Sequence, residues 1–356
     1  MIPTPEPLPR SPIGRRSLLA TAATLIAAPA AAMMLMPAQA SAAGSAAAPA
    51  EGAPGPMRIV ANGLRFPEGP VAMSDGSVLC VEIARGTLSR IGTDGAVAVV
   101  AQLGGGPNGA AIGPDGACYV VNNGGLEFIT RDNRLIPVGV PKSFVSGSVQ
   151  RVDLRTGQFK TLYTHVAGRP LAGPNDLVFD SFGGFWFTDS GKVYPRSRDQ
   201  GGLYWARPDG TEIREVTYPL LTPNGVALSP DRKTLYVALT VSRQIVSFQI
   251  VGPGMLAQSG GKPAMKLVAS LAGDLILDSM CVEADGTLVV AAVFAGKLLR
   301  ISPAGAVIGE VSFPDPGISN AAFGGPDLRT LYVTLSQTGR IAALRWPEPG
   351  LKLLYR

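Results

Sequence analysis

The amino-acid sequence predicts an all-β protein, a six-bladed β-propeller with a metal site on its central axis. Three observations support this fold. A strand–turn–strand pattern recurs six times, and polar residues at the same offset in each copy are spaced by 40, 67, 49, 54 and 42 residues. A blade of four short strands needs about 40–50 residues. Helical periodicity is absent over any long stretch after the N-terminus, and 44 Gly and 31 Pro supply the many turns.

The N-terminus resembles an export signal. Arg15 and Arg16 form a twin-arginine pair, an uncharged segment follows at 17–50, and small-residue cleavage patterns occur at 38–40 and 40–42. A permanent membrane anchor is the alternative, but two prolines and the high Ala content favour a cleaved signal. We therefore expect a twin-arginine-type signal at 1–42, a flexible linker at 43–56, the propeller at 57–356, and a periplasmic or secreted protein.

The composition excludes several functional classes. The net charge of +5 is modest and scattered, with no basic run, so a nucleic-acid partner is not expected. No later segment has 18 uninterrupted apolar residues, so no membrane association is expected after signal removal. The oligomeric state is not predicted.

Each copy of the repeat predicts a hairpin that is completed by two further strands. In the fourth copy, VALS and TLYVAL flank a turn at 230–233, and RQIVSFQI and AMKLVASL follow as the third and fourth strands. The longest interval contains an insertion at 124–149, expected to be a long loop over one mouth of the channel. The segment 57–64 is expected to close the ring by pairing with 341–344.

A polar residue begins the first strand of every copy. The innermost strand of each blade lines the axis, so these side chains should form a ring of oxygen atoms at one mouth, suited to a hard cation. Calcium is the expected ion, and oxygen-bound zinc, manganese or magnesium are alternatives. His165 is the only histidine, which excludes a His-rich zinc site. The competing interpretation is that the Asn-Gly pairs simply form turns. The ring residues are Glu68, Asn108, Asn175, Asn224, Asp278 and Asn320.

Four short motifs resemble those of the senescence-marker-protein/gluconolactonase/luciferin-regenerating-enzyme family: FPEGP at 66–70, PND at 174–176, PNG at 223–225 and DSM at 278–280. The resemblance spans about residues 58–344. It implies a divalent metal held by Glu68, Asn224 and Asp278. It also implies that Asn175 contacts the substrate or the metal.

The expected reaction is metal-assisted hydrolysis of a small-molecule lactone, with Asp278 as general base and Asn175 stabilising the oxyanion. Asn108 and Asn320 are further candidates for substrate binding. Some relatives carry an Arg two residues before the substrate-contacting Asn, where it binds the sugar acid. Gly173 occupies that position, so Arg65 or Arg169 would have to substitute.

Three other functions are alternatives. A non-catalytic, metal-containing binding propeller is the main alternative. A quinone-dependent sugar dehydrogenase would usually need a histidine base, and His165 is far from the blade starts. Nothing specific supports a strictosidine-synthase-like condensation. Asp189 and Lys192 are expected to be solvated turn charges, and Trp186 and Trp205 to pack between strands.

Overall fold

Six antiparallel four-stranded sheets surround a central channel in the computed structural model, which describes residues 54–356. Neighbouring innermost strands contact each other around the whole ring. No helix occurs in these residues, and accordingly none could span a membrane. The predicted export signal at 1–42 lies outside the described residues, as does most of the predicted linker. The predicted six-bladed propeller is confirmed.

The blades follow one another along the chain, each running from the innermost strand outward. The strands of blade 1 are Pro67–Ala72, Val78–Glu82, Thr87–Ile91 and Val97–Gln102. Those of blade 2 are Pro107–Ile112, Cys118–Asn122, Ser148–Val152 and Phe159–Tyr163. Those of blade 3 are Pro174–Phe179, Phe185–Asp189, Gly201–Ala206 and Ile213–Leu220. The strands of blade 4 are Pro223–Leu228, Thr234–Leu239, Gln244–Gly252 and Met265–Ser270. Those of blade 5 are Ile276–Val282, Leu288–Val293, Lys297–Ile301 and Val307–Ser312. Those of blade 6 are Ile318–Gly324, Thr330–Leu335, Arg340–Arg345 and, from the N-terminal side, Arg58–Ala61.

Short two-stranded elements decorate this frame. A fifth strand, Met255–Leu256, extends blade 4. The small hairpins are Glu127–Arg131 with Arg134–Gly139, His165–Val166 with Arg169–Pro170, Val193–Tyr194 with Ser197–Arg198, and Gln258–Ser259 with Lys262–Pro263.

The ring closes as predicted. Strand Arg58–Ala61 pairs antiparallel with Arg340–Arg345, with Arg58 opposite Ala343 and Ile59 opposite Ala342. The outermost strand of blade 6 therefore comes from the start of the propeller and its other three strands from the end. This arrangement joins the two ends of the ring and leaves no open sheet edge between them.

Burial falls from the axis outward and explains which residues form which strand. The inner strands Pro67–Ala72 and Pro223–Leu228 are buried along their whole length, whereas the outermost strand Val97–Gln102 is mostly exposed. The hydrophobic core lies between the faces of neighbouring blades. Trp186 and Trp205 are fully buried in one such layer, as predicted. Burying such faces supplies the main stabilisation of the ring.

The insertion at 124–149 differs from the expected loop. It lies within blade 2, between the second and third strands, and contains the hairpin Glu127–Arg131 and Arg134–Gly139. Leu135 packs against Phe66 of blade 1, and its backbone N–H donates to the carbonyl of Gln337 in blade 6 (2.8 Å). The hairpin therefore reaches over the mouth at which the inner strands begin, the position expected for the insertion.

Candidate functional site

All six predicted ring residues lie at the start of an innermost strand, each where the strand register shifts. The shifts fall between residues 68 and 71, 107 and 109, 174 and 177, 223 and 226, 277 and 280, and 318 and 321. Such β-bulges turn a side chain away from the normal alternation of a strand and are common beside functional sites. One bulge per blade thus directs six polar side chains to the same mouth of the channel.

The glycines that follow the ring residues serve close packing of the strands. A Cβ at Gly109 would lie 2.6 Å from the carbonyl oxygen of Asn175, and one at Gly225 would lie 2.8 Å from that of Asp278. Neighbouring inner strands therefore approach too closely for a side chain at this position. The Asn-Gly pairs lie inside strands, so their interpretation as turns is wrong.

Glu68 is buried, with 4% of its surface exposed. Its Oε2 accepts hydrogen bonds from the backbone N–H of Gly69 (2.8 Å) and from Nδ2 of Asn320 (3.0 Å). Burial raises the pKa of this carboxyl, and the hydrogen bonds oppose that effect only in part. Asn320 thus holds Glu68 at the axis, and its own Oδ1 accepts from the N–H of Ala321 (2.8 Å).

Asp176 is a carboxylate of the site that the sequence interpretation missed. It occupies the position that is glycine in three other copies, and it is buried. Burial, and next the negative charge of Glu68, raise the pKa of Asp176 to about 7. The sequence did contain a signal, since a charged residue in PND stands where the other copies tolerate only small residues.

Asp278 completes a group of three acidic residues. It retains partial exposure along the channel wall although protein surrounds it. Burial raises its pKa well above the usual range, the charges of Glu68 and Asp176 add to the effect, and a hydrogen bond with Asn224 opposes it. The Oγ of Ser279 also lies 3.4 Å from Oδ1 of Asn224. The three carboxyl groups influence one another strongly enough to share one electrostatic site.

These acids have no protein counter-charge. None of the ion pairs within residues 54–356 includes Glu68, Asp176 or Asp278. Oδ1 of Asn175 is also buried without a hydrogen-bond partner. Buried carboxylates and an orphaned amide oxygen are costly unless something positive compensates them.

The donor set suits a hard divalent cation. The available ligands are carboxylate and amide oxygens, which calcium accepts in irregular geometry. Within the described residues, no three acidic, His or Cys side chains already converge as ligands of one ion. The amide oxygens of Asn175 and Asn224 would therefore belong to the set together with the acids.

Asn108 connects two neighbouring blades through a hydrogen bond. Its Nδ2 donates to the backbone carbonyl of Asn175 (3.0 Å), which ties blade 2 to blade 3 beside the orphaned amide oxygen. Of the two arginines that might replace the one absent at Gly173, Arg169 is paired with Glu215 through two 2.8 Å contacts. Arg65 is exposed.

Asp189 and Lys192 are buried, so their prediction as solvated turn charges is wrong. The carboxylate of Asp189 accepts backbone N–H groups of Gly173 (2.6 Å), Ala172 (2.8 Å) and Gly191 (2.9 Å). It thereby shapes the loop that leads into Asn175. Lys192 is 3% exposed and lies at the same mouth.

The other end of the channel is apolar and covered by the C-terminal segment. Leu351 donates its N–H to the carbonyl of Val282 (2.8 Å), and Tyr355 packs edge-on against Phe179 with ring centroids 5.6 Å apart. A cavity of about 140 Å³ lies between this segment and the inner strands. Apolar residues of the inner strands form most of its lining, and Asp176 and Asn320 also line it.

Residues 66–337 match the model of the SMP-30/Gluconolactonase/LRE-like region. The chain belongs to this family. The match begins at the motif containing Glu68 and includes all six ring residues.

Curated relatives include proteins named lactonase drp35. The one from Staphylococcus haemolyticus is 29% identical over 186 residues, 52% of this chain and 55% of the relative. The one from Staphylococcus saprophyticus is 35% identical over 140 residues, 39% of this chain and 42% of the relative. The matched stretch thus spans about half the length of these relatives.

Solved structures share the fold. A calcium-binding protein, regucalcin, from Agrobacterium tumefaciens has a TM-score of 0.67 at 18% identity, covering 85% of this chain and 98% of that one. A gluconolactonase from Xanthomonas campestris has a TM-score of 0.65 at 23% identity, covering 82% and 89%. At these identities the likeness establishes the propeller.

Proposed function

We propose that the protein is a divalent-cation-dependent lactonase, with calcium as the first candidate ion. The observation that supports the proposal is a group of three carboxyl groups, Glu68, Asp176 and Asp278, that are buried or partly buried and form no ion pair within residues 54–356. Relatives named lactonases support the reaction class. The substrate would be a small lactone entering at the mouth beneath the hairpin.

The cation would be held by Glu68, Asn224 and Asp278, with Asn175 and Asp176 beside them. When bound, such an ion supplies Lewis acidity toward the lactone carbonyl and lowers the pKa of a nearby water.

The chain's own residues would handle the proton and the developing charge. Asp278 would accept a proton from the attacking water and return it to the ring oxygen as the carbon–oxygen bond of the lactone breaks. The amide N–H groups of Asn175 would donate to the carbonyl oxygen, where negative charge develops. Asn108 and Asn320 would hold the ring rigid through their bonds to the Asn175 backbone and to Glu68.

A lactone panel tests this function. Sugar and aliphatic lactones would be offered to the chelated protein and to the same preparation reloaded with calcium, zinc, manganese or magnesium, with spontaneous opening subtracted. Hydrolysis that disappears on chelation and returns with one ion would support the lactonase. Tight ion binding without hydrolysis of any lactone would instead support a non-catalytic binding propeller.

We also propose that the protein is exported by a twin-arginine-type signal, on the strength of Arg15 and Arg16 in the sequence. Fractionation of cells expressing the full chain tests this. The variant with both arginines replaced by lysine should remain in the cytoplasm. An unchanged distribution would refute the proposal.

A further inference from the structure

Lys192 is a buried cation at the mouth of the channel that the proposed reaction does not use. It follows strand Phe185–Asp189 in blade 3, and Asp189 lies opposite Pro174, next to Asn175 in the chain. Nζ of Lys192 donates to the carbonyl of Gly125 (2.8 Å) and lies 3.5 Å from Oδ1 of Asn123. An ammonium group has three N–H donors. These hydrogen bonds within the described residues leave one donor for a further acceptor.

Two nearby carboxylates, those of Asp189 and Asp199, compensate this ammonium group only in part. None of the ion pairs within residues 54–356 includes Lys192. The carboxylate of Asp189 is occupied by three backbone N–H groups, and that of Asp199 accepts the backbone N–H of Lys192 (3.2 Å). The Phe144 ring, 4.8 Å from Nζ, is the nearest additional support for the charge. Burial lowers the pKa of Lys192 to about 8, as expected for an ammonium group without a full counter-charge.

Lys192 lines an open cavity of about 400 Å³. The insertion contributes Leu126, Pro137 and Val138 to its wall, and Lys192 is the one charged residue among the residues that line it. Gly173 also lines the cavity and lies beside Gly191, since a Cβ at Gly173 would lie 2.6 Å from the carbonyl oxygen of Gly191. This close backbone contact leaves no room for a side chain at Gly173.

Residues that line the cavity lie close in the chain to the ring of polar residues. Gly173 is two residues before Asn175. Asn123, which also lines the cavity, donates its N–H to the carbonyl of Gly106 (2.8 Å), two residues before Asn108. A ligand that reaches from the cavity toward the carboxyl groups would therefore pass along Asn175.

We infer that this cavity binds an anionic substituent of the substrate, with the Lys192 ammonium as its counter-charge. The inference rests on the proposed lactonase and specifies its substrate class as lactones that carry a carboxylate outside the scissile ring. Lys192 is a specificity-determining residue in this account and takes no part in the proton transfers. The alternative is that Lys192 only anchors the insertion through Gly125.

The test compares two lactones that differ by one charge, 5-oxotetrahydrofuran-2-carboxylate and its primary amide. The wild-type protein, loaded with the ion that supports activity, should favour the carboxylate by about tenfold or more in kcat/KM, the usual scale of a charge-assisted hydrogen bond. Lys192→Met should raise KM for the carboxylate about 10- to 100-fold, with little change in kcat and with the amide unaffected. Lys192→Arg should retain most of the preference.

Lys142→Met is the matched control. Lys142 is exposed in the insertion that forms part of the cavity wall, and its replacement removes the same charge. It should leave the preference intact. If Lys192→Met lowers kcat/KM equally for both lactones, Lys192 only anchors the insertion and the inference is overturned. Hydrolysis of both lactones by the wild-type protein with no preference would also overturn it, a result that leaves the lactonase standing.

If neither lactone is hydrolysed, calorimetry decides whether the cavity binds an anion, and the proposed reaction fails only if no lactone of the panel is hydrolysed. Tighter binding of the carboxylate than of the amide by folded wild-type protein, abolished in Lys192→Met, would support an anion site. Equal binding, or none, would overturn it. The wild-type comparison needs no variant, so it remains decisive if Lys192→Met does not fold.

Discussion

Two sets of acidic residues in this propeller differ in the partners of their carboxyl groups. Glu283, fully buried, accepts from Nε and Nη2 of Arg300 (2.7 and 2.6 Å) and from Nε1 of Trp346 (2.8 Å). Glu82 is likewise buried and accepts from Arg85 (3.0 Å) and Ser89 (2.6 Å).

The carboxyl groups on the axis have hydrogen-bond partners but no arginine or lysine partner within residues 54–356. Burial raises the pKa values of Glu68, Asp176 and Asp278, and like charges add to the effect for Asp176 and Asp278. Acids that hold the fold together are thus compensated within the chain, whereas the axial acids require something from outside it. This difference distinguishes the three axial acids from Glu82 and Glu283 without reference to any relative.

The largest effect is expected from Asp278→Asn, which keeps the shape of the side chain but removes the proposed base. We expect kcat to fall by about 10²- to 10⁴-fold while the melting temperature is maintained. Steady-state kinetics on the best lactone of the panel would measure this. Asp274→Asn is the control, since Asp274 is an exposed acid four residues away. Full activity in folded Asp278→Asn would remove this residue from the mechanism.

The second expected effect is a pH dependence of the stability of metal-free protein. A raised carboxyl pKa favours the folded state fully below the unfolded value, and that contribution is lost as the pH rises to the folded value. For Asp176 the window runs from 3.8 to about 7. At about 1.4 kcal/mol per pKa unit, the loss in the free energy of unfolding would be at most about 4 kcal/mol.

Thermal melts of chelated protein between pH 4 and 8 would measure this loss. Asp176→Asn should flatten the profile, and an excess of calcium should restore stability mainly at pH 7 and above, where the carboxylates are ionised. A metal-free profile that is flat in the wild-type protein would contradict the raised pKa.

Replacing an acid that is paired within the chain should lower stability and leave ion binding unchanged. Glu283→Gln leaves the Arg300 charge without its partner, and we expect the free energy of unfolding to fall by about 3 kcal/mol. Denaturant unfolding measures this change, with exposed Glu348 as the site of the control variant Glu348→Gln. Ion affinity should be unchanged in Glu283→Gln. A loss of ion binding with normal stability would erase the distinction between the two sets.

The smallest effect is expected from Asn320→Ala, which removes the 3.0 Å hydrogen bond to Glu68. Without that donor, ionised Glu68 is less favoured, so ion affinity should fall by about tenfold. Calorimetric titration would detect the change, with exposed Asn62 as the site of the control variant Asn62→Ala. An unchanged affinity would show that the hydrogen bond contributes nothing to the site.

The repeats made most of the architecture predictable from the sequence. Six copies of one hairpin set the number of blades, and the pattern placed all six ring residues correctly at the starts of inner strands. The insertion hairpin could also have been recognised. Its turn residues Asp132 and Asn133 have φ values of 50° and 57°, a conformation that Asp and Asn tolerate and that two-residue hairpin turns use.

What escaped prediction depends on contacts between distant parts of the chain. Lys192 is buried because Asn123 and Gly125, 69 and 67 residues earlier, fold over it. Its local sequence, SGKVY, is typical of an exposed turn. Asp176 was missed because only the first polar residue of each copy was assigned to the ring, and the residue after it is small in the other five copies. The close approach of inner strands at those positions is visible only once the ring has closed.

The central claim is that the axial carboxyl groups form a divalent-cation site. Calorimetric titration of calcium into chelated protein at pH 7.5 tests it most directly, using the wild-type chain, Glu68→Gln and Glu283→Gln. The account predicts one ion per chain in the wild type and in Glu283→Gln, and binding weakened by at least about 100-fold in Glu68→Gln. No ion in folded wild-type protein with any of the four candidate metals, or equal affinity in Glu68→Gln, would contradict it.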